Sequence, residues 1–229
     1  MNLLAFETST ESCSVALLCG EELTFRSELA PRRHAELVLP MAEELLAAAG
    51  IGKRQLDVLA VGRGPGAFTG VRLGVSVAQG LAFALGLPVL PVSSLAALAM
   101  QAPGEGGAIL AVIDARMGEV YAGCFTHDDE GLVHALDAER VCSPDALRLP
   151  DIEMEWQVIG SGWAAHGEAL RLAIGSEPGW SDGACYPQAA DIARLAARDM
   201  QAGLAVRPEQ ALPVYLRDKV AQTIAERQA

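Results

Sequence analysis

Residues 3–17 read LLAFETSTESCSVAL, and residues 109–125 read ILAVIDARMGEVYAGCF. With one gap the two stretches lie side by side. Each gives an apolar strand, an acid (Glu7 against Asp114), a turn of small residues and a second strand. A unit repeated within one chain points to two related halves. Two unrelated hairpins in a β-rich chain would read the same way, and the pattern alone leaves both open. The break PGEGG at 103–107 separates the copies, which divides the chain into 1–102 and 103–229, with the last helix free to pack back on the first half.

Around the first copy the elements can be placed by period and punctuation. Apolar runs at 2–8, 13–19 and 56–62 predict strands, and the alternation of EELTFRSEL predicts another. Leu37, Met41, Leu45 and Ala48 recur at helical spacing over 32–49 and Gly50 closes that helix. Pro40 inside it removes a backbone donor and is expected to kink it. A second helix is expected from about Thr69 to Leu85, stopped by Gly86. A strand at LPVLPV and a short helix at SSLAALAMQA follow. In the second half WQVIGSG reads as a strand, with helices at AAHGEALRLA and PQAADIARLAARDMQAG.

The chain has 229 residues and a net charge of −12, so it is long enough for a substantial core and poorly suited to gripping nucleic acid alone. Five cysteines without a CxxC pair suit reduced thiols in the cytoplasm better than a disulfide framework or a zinc site. Residues 73–104 carry no charge, but Gly80, Gly86, Pro88, Pro91 and the Ser93–Ser94 pair interrupt them. The stretch therefore reads as buried core and predicts no membrane association.

GRGPGAFTG at 62–70 invites a phosphate reading, carried by Gly64 and Gly66. It lacks the Lys-Ser/Thr ending of a Walker loop and the spacing of a dinucleotide fingerprint. Beyond it Gly70, Gly74, Ala78 and Ala82 stand four residues apart as a ridge of minimal side chains, suited to a closely approaching helix of this chain or another. Thr8, Ser9 and Thr10 are hydroxyls that could meet a phosphate or simply bond the turn backbone. His34 follows Arg33 at a helix start and has no second His four residues on, so a contact role fits it better than metal binding. No catalytic set can be assembled from the residues.

FETSTESCSVAL, RRHAELVLPMAEELL, GRGPGAFTGVRLGVSVAQGLA, PVLPVSSLAALA, IDARMGEVYAG and PVYLRDKVA together resemble the TsaB (YeaZ) family. The resemblance runs in good register from residue 1 to about 125 and returns at the C-terminus. It implies an α/β fold of the actin-like, sugar kinase and Hsp70 superfamily. It also implies a role in forming N6-threonylcarbamoyladenosine in tRNA, beside the anticodon. The expected role is that of a non-catalytic companion to the paralogous transferase TsaD, joined by the small ATPase TsaE.

The paralogue's metal-binding His pair falls on Ser94 and Leu98 here, and a further ligand falls near Pro187, so no metal site and no catalytic residue are expected. Its phosphate segment resembles 159–171, which makes Gly160 and Gly162 vestigial phosphate-loop positions beside Thr8–Thr10, Gly64 and Gly66. No cofactor is expected of this chain alone, and ADP or ATP at a heteromer interface stays open. The expected partner surface comprises Arg33, His34, Leu37, Met41, Gly70, Gly74 and Ala78. It would pair with TsaD, or with a second copy when the chain is alone, and tRNA would be met only within the complex. Two alternatives remain, a small-molecule phosphotransferase of the same fold and a homodimeric scaffold unrelated to TsaD.

Overall fold

The computed structural model describes residues 1–104 and 106–217. The first sheet is built from β1 (Asn2–Glu7), β2 (Ser12–Cys19), β3 (Glu22–Leu29), β4 (Val58–Gly62) and β5 (Val89–Val92), in the order β3-β2-β1-β4-β5. β1, β2 and β3 pair antiparallel, whereas β1–β4 and β4–β5 are parallel. The parallel strands need crossovers, and the longest is α2 (Phe68–Leu85), between β4 and β5. α1 (His34–Ala48) precedes β4, and α3 (Ser94–Ala99) follows β5. α1 continues through Pro40, which stands on its exposed side.

The second sheet repeats this plan. β6 (Ala108–Arg116) and β7 (Glu119–His127) form an antiparallel hairpin with a register shift between Asp114 and Arg116. β8 (Val133–Ala135) and β9 (Arg140–Cys142) both pair β7. β10 (Trp156–Ile159) and β11 (Trp180–Asp182) add in parallel on the side of β6, giving β11-β10-β6-β7-β8. α4 (Ser161–Ile174) follows β10 as α2 follows β4. The expectation of two related α/β halves is met strand for strand: β1 matches β6, β2 matches β7, and β4 matches β10.

Burial explains why the central strands read as unbroken apolar runs. Leu3 and Ala5 face a layer between the sheets, while Leu4 and Phe6 face α1 and α2 outside. Both faces are covered, so period-2 alternation of polarity disappears. The layer between the sheets is made by α3 and α5 (Ala189–Gln201), which contribute Leu95, Leu98, Ile192 and Leu195 against Leu90, Ile109 and Ile159. α5 lies against the first sheet, and Ala189 N donates to Ser14 Oγ at 2.9 Å. α4 covers the outer face of the second sheet through Leu170 on Leu110, Val112 and Val158. Each large side chain so buried contributes roughly 1.5–3 kcal/mol. α4 departs from helical geometry at His166 (φ −136°, ψ 24°), one turn before Leu170.

An acid is buried in the layer between the sheets. Asp191, in the first turn of α5, is 4% exposed and accepts a 2.7 Å bond from Arg194 Nη1. Burial pushes its carboxyl up to about 6, against the pull of Arg194.

Candidate functional site

The turn after β1 and the N-terminus of α2 are fitted together atom by atom. Thr8 Oγ1 donates to Gly70 O at 2.7 Å, and Ala67 N donates to Ser9 O at 2.7 Å. A Cβ at Gly66 would lie 2.3 Å from Ser9 O, at Gly70 2.1 Å from Thr8 O, and at Gly74 2.6 Å from Thr8 Oγ1. The glycines are there because α2 rests on residues 8–10. Gly64, at φ +89°, turns the chain toward that contact in a conformation side chains rarely adopt. Gly160 and Gly162 do the same service in the second half, where their Cβ positions would meet Val112 at 2.3 and 2.9 Å.

This corrects one expectation. Gly70, Gly74 and Ala78 are buried against their own first sheet, so they cannot form a ridge for a partner helix. At the expected phosphate-loop positions the Thr8 hydroxyl is bonded to α2, and the Ser9 carbonyl accepts from the Ala67 amide just before that helix. Ser9 Oγ and Thr10 Oγ1 are buried and have no hydrogen-bond partner among the described residues.

Glu7, at the end of β1, is fully buried. Its Oε1 accepts from Ser9 N at 2.6 Å and its Oε2 from Ser94 Oγ at 2.7 Å. Burial raises its pKa, and those donors only partly oppose the shift. Gly62 beside it has no space, since a Cβ there would stand 1.9 Å from Oε2. Ser94 is thus a partner of an acid, and Leu98 is a fully buried core residue. Among the described residues no group of three or more His, Cys, Asp or Glu is placed to hold a metal ion.

The remaining expected contact residues divide. Arg33 is exposed and pairs with Glu28 at 2.7 Å and with Glu36 at 3.6 Å. His34 Nε2 donates to Thr10 O at 2.9 Å, which pins the start of α1 to the first turn. Leu37 is half-buried and Met41 is buried on the outer face of the first sheet. Met41 is therefore removed from a free surface, whereas His34 is half-buried with its Nε2 already bonded.

The sequence reading missed the opposite side of α2. Thr69, Arg72, Ser76, Gly80, Phe83 and Ala84 are exposed, with a single charge among them. Ser76, Gly80 and Ala84 make a second ridge of small residues, and a Cβ at Gly80 would meet nothing within 4 Å. Phe83 is 82% exposed, and Leu39 on α1 is 44% exposed. Both α2 ridges were visible in the uncharged run from residue 73, but spacing cannot say which one turns inward. α2 is long and apolar enough to cross a membrane by length and composition, yet its inner positions pack on the sheet.

Residues 25–224 match the family described as TsaD, tRNA N6-adenosine threonylcarbamoyltransferase. The tRNA threonylcarbamoyladenosine biosynthesis protein TsaB of Escherichia coli (strain K12) is 40% identical over 228 residues, covering 96% of each chain. The protein of the same name from Haemophilus influenzae is 40% identical over 231 residues, covering 96% of this chain and 95% of its own length. The solved structure of YeaZ from Pseudomonas aeruginosa is 43% identical with a TM-score of 0.87, covering 94% of this chain and 99% of that one.

Proposed function

This chain belongs to the TsaB family of tRNA threonylcarbamoyladenosine biosynthesis proteins, and we propose that it acts as the non-catalytic partner of a TsaD-type transferase. The observation that carries this reading is the outward face of α2. An uncharged helix face with Ser76, Gly80 and Ala84 in a row lets another helix approach closely. Phe83 beside it offers an apolar anchor of the kind that dominates interface energetics. The same face would pair two copies of this chain when no transferase is present.

The first-half turn supports the non-catalytic part. Its Thr8 hydroxyl and Ser9 carbonyl are bonded to α2 and its N-cap, and the positions of the paralogue's metal pair hold Ser94, bound to Glu7, and Leu98, in the core. The phosphotransferase alternative loses its footing for the same reason. A net charge of −12 favours tRNA contact within a complex whose partner supplies basic surface. Five free cysteines fit a cytoplasmic setting, and a TsaE-type ATPase is the proposed third member.

The test is co-purification with a TsaD-type protein, followed by threonylcarbamoyl transfer to tRNA with and without this chain. Activity is expected only with both proteins. Full transfer by the TsaD-type protein alone, or by this chain alone, would overturn the reading.

A further inference from the structure

A cleft of about 230 Å³ lies between the halves, lined by Ser9 and Val71 from the first and Ile113 and Tyr121 from the second. Elsewhere the halves meet through the apolar layer of α3 and α5 and through Glu139, which pairs with Arg63 at 3.5 Å and accepts from Ser93 Oγ. The end of the described chain crosses this cleft. Val214 N donates to Arg63 O at 2.9 Å, just beyond β4. Tyr215 Oη accepts from Arg72 Nε at 2.6 Å, and its ring lies 6.1 Å from that of Phe68. The Arg72 guanidinium sits 3.4 Å above the Phe68 ring, which completes a stack on the first turns of α2. Two residues later Arg217 Nη2 donates to Ala115 O at 3.1 Å and pairs with the Glu119 carboxylate, both on the β6–β7 hairpin. Leu216, between the two anchors, lines the cleft.

We propose that residues 214–217 are a strap that holds the two halves closed over the cleft, with Tyr215 as its anchor on α2 and Arg217 as its anchor on the β6–β7 turn. The segment belongs to no helix or strand, so its position depends on its ends. With one residue between the anchors, loss of the Tyr215 stack leaves the Val214–Arg63 backbone bond to hold the first-half end, and loss of the Arg217 bonds removes the described hold on the second half. A second tie across the same cleft, Arg116 Nη2 to Glu11 Oε1 at 2.6 Å, is exposed and screened by water. Arg217 is better shielded, with its side chain 18% exposed, so its charged bonds count for more. Phe68 and Arg72 border the outward face of α2, so a partner docked there would press on the strap. That coupling rests on the docking reading above, whereas the strap does not.

Hydrogen exchange by mass spectrometry on the full-length chain alone keeps the two apart. Tyr215→Ala is expected to speed exchange about tenfold or more at 113–119, where Arg217 binds and Tyr215 does not. Glu119→Ala is expected to do the reverse, loosening the start of α2 around 67–72. Tyr215→Phe keeps the ring on Phe68 and is expected to restore much of the protection. Circular dichroism shows whether each variant folds, and either reciprocal effect is sufficient if one variant does not. Faster exchange confined to the mutated side in a folded variant would overturn the strap, as would unchanged exchange on both sides.

Discussion

Gly74 stands under Thr8: the hydroxyl oxygen of Thr8 lies 2.6 Å from the place a Cβ at position 74 would occupy. Gly70 is in a tighter position still, 2.1 Å from the Thr8 carbonyl oxygen, which belongs to backbone and cannot swing away. Gly70→Ala should therefore destabilise the isolated chain by roughly 2 kcal/mol or more, because overpacking outweighs the gain in helix propensity. Gly80→Ala meets open space and should stabilise it by about 0.5–1 kcal/mol. Urea unfolding of the two variants separates the inward ridge from the outward one.

Phe83→Asp puts a charge on the outward face of α2 without touching the core. The variant should fold with its stability within about 0.5 kcal/mol of the parent. Its affinity for a TsaD-type partner should drop on the order of 100-fold, as expected when an aromatic anchor is lost. Calorimetric titration reads the second effect, and unchanged affinity would place the docking surface elsewhere.

Glu7→Gln keeps an oxygen to accept from Ser9 N and places an amide N–H where Oε2 accepts from Ser94 Oγ, so the Ser94 hydroxyl must turn to accept and the cost should be about 1 kcal/mol or less. Glu7→Ala leaves both groups unmatched beside a cavity and should cost roughly 2–4 kcal/mol. The folded pKa of Glu7 is raised, so its contribution is full below its ordinary value of 4.5 and is lost as pH rises through the folded pKa. Denaturation at several pH values should show that decline weakened in Glu7→Gln.

Asp191 adds to the same trend with a defined window. Its pKa rises from 3.8 to about 6 on folding, so the native state binds the extra proton between those values. The linked stability is present below about 3.8 and lost as pH climbs through about 6. The whole shift corresponds to about 3 kcal/mol, at roughly 1.36 kcal/mol per pH unit. Asp191→Asn, which still accepts from Arg194, should flatten the stability profile over that window and gain up to about that amount at pH 7.

Thiol titration offers a further check. Burial pushes Cys13 and Cys185 up to about 11 and Cys124 up to about 12. At pH 8 the native chain should react with a thiol reagent far more slowly at these three positions than the unfolded chain does. Equal rates would show that Cys13 and Cys124 are not buried, and Cys185 not half-buried, as the fold places them.

The sequence by itself determined the strand-turn-strand units at the start of each half, though not that the two are related. Strand runs, the acids Glu7 and Asp114, and the turns after them are local features, and Gly86 marks the end of α2 whatever surrounds it. The family followed from motifs that need no coordinates. Only the tertiary structure decided which side of α2 is inside, that His34 binds Thr10, and that Arg217 reaches Glu119 across 98 positions of chain. The reason is physical. Spacing fixes which residues share a helix face, but polarity is what tells a sequence reader which face turns to water. Both ridges of α2 are small and uncharged, so its orientation was left to the backbone of Thr8 and Ser9.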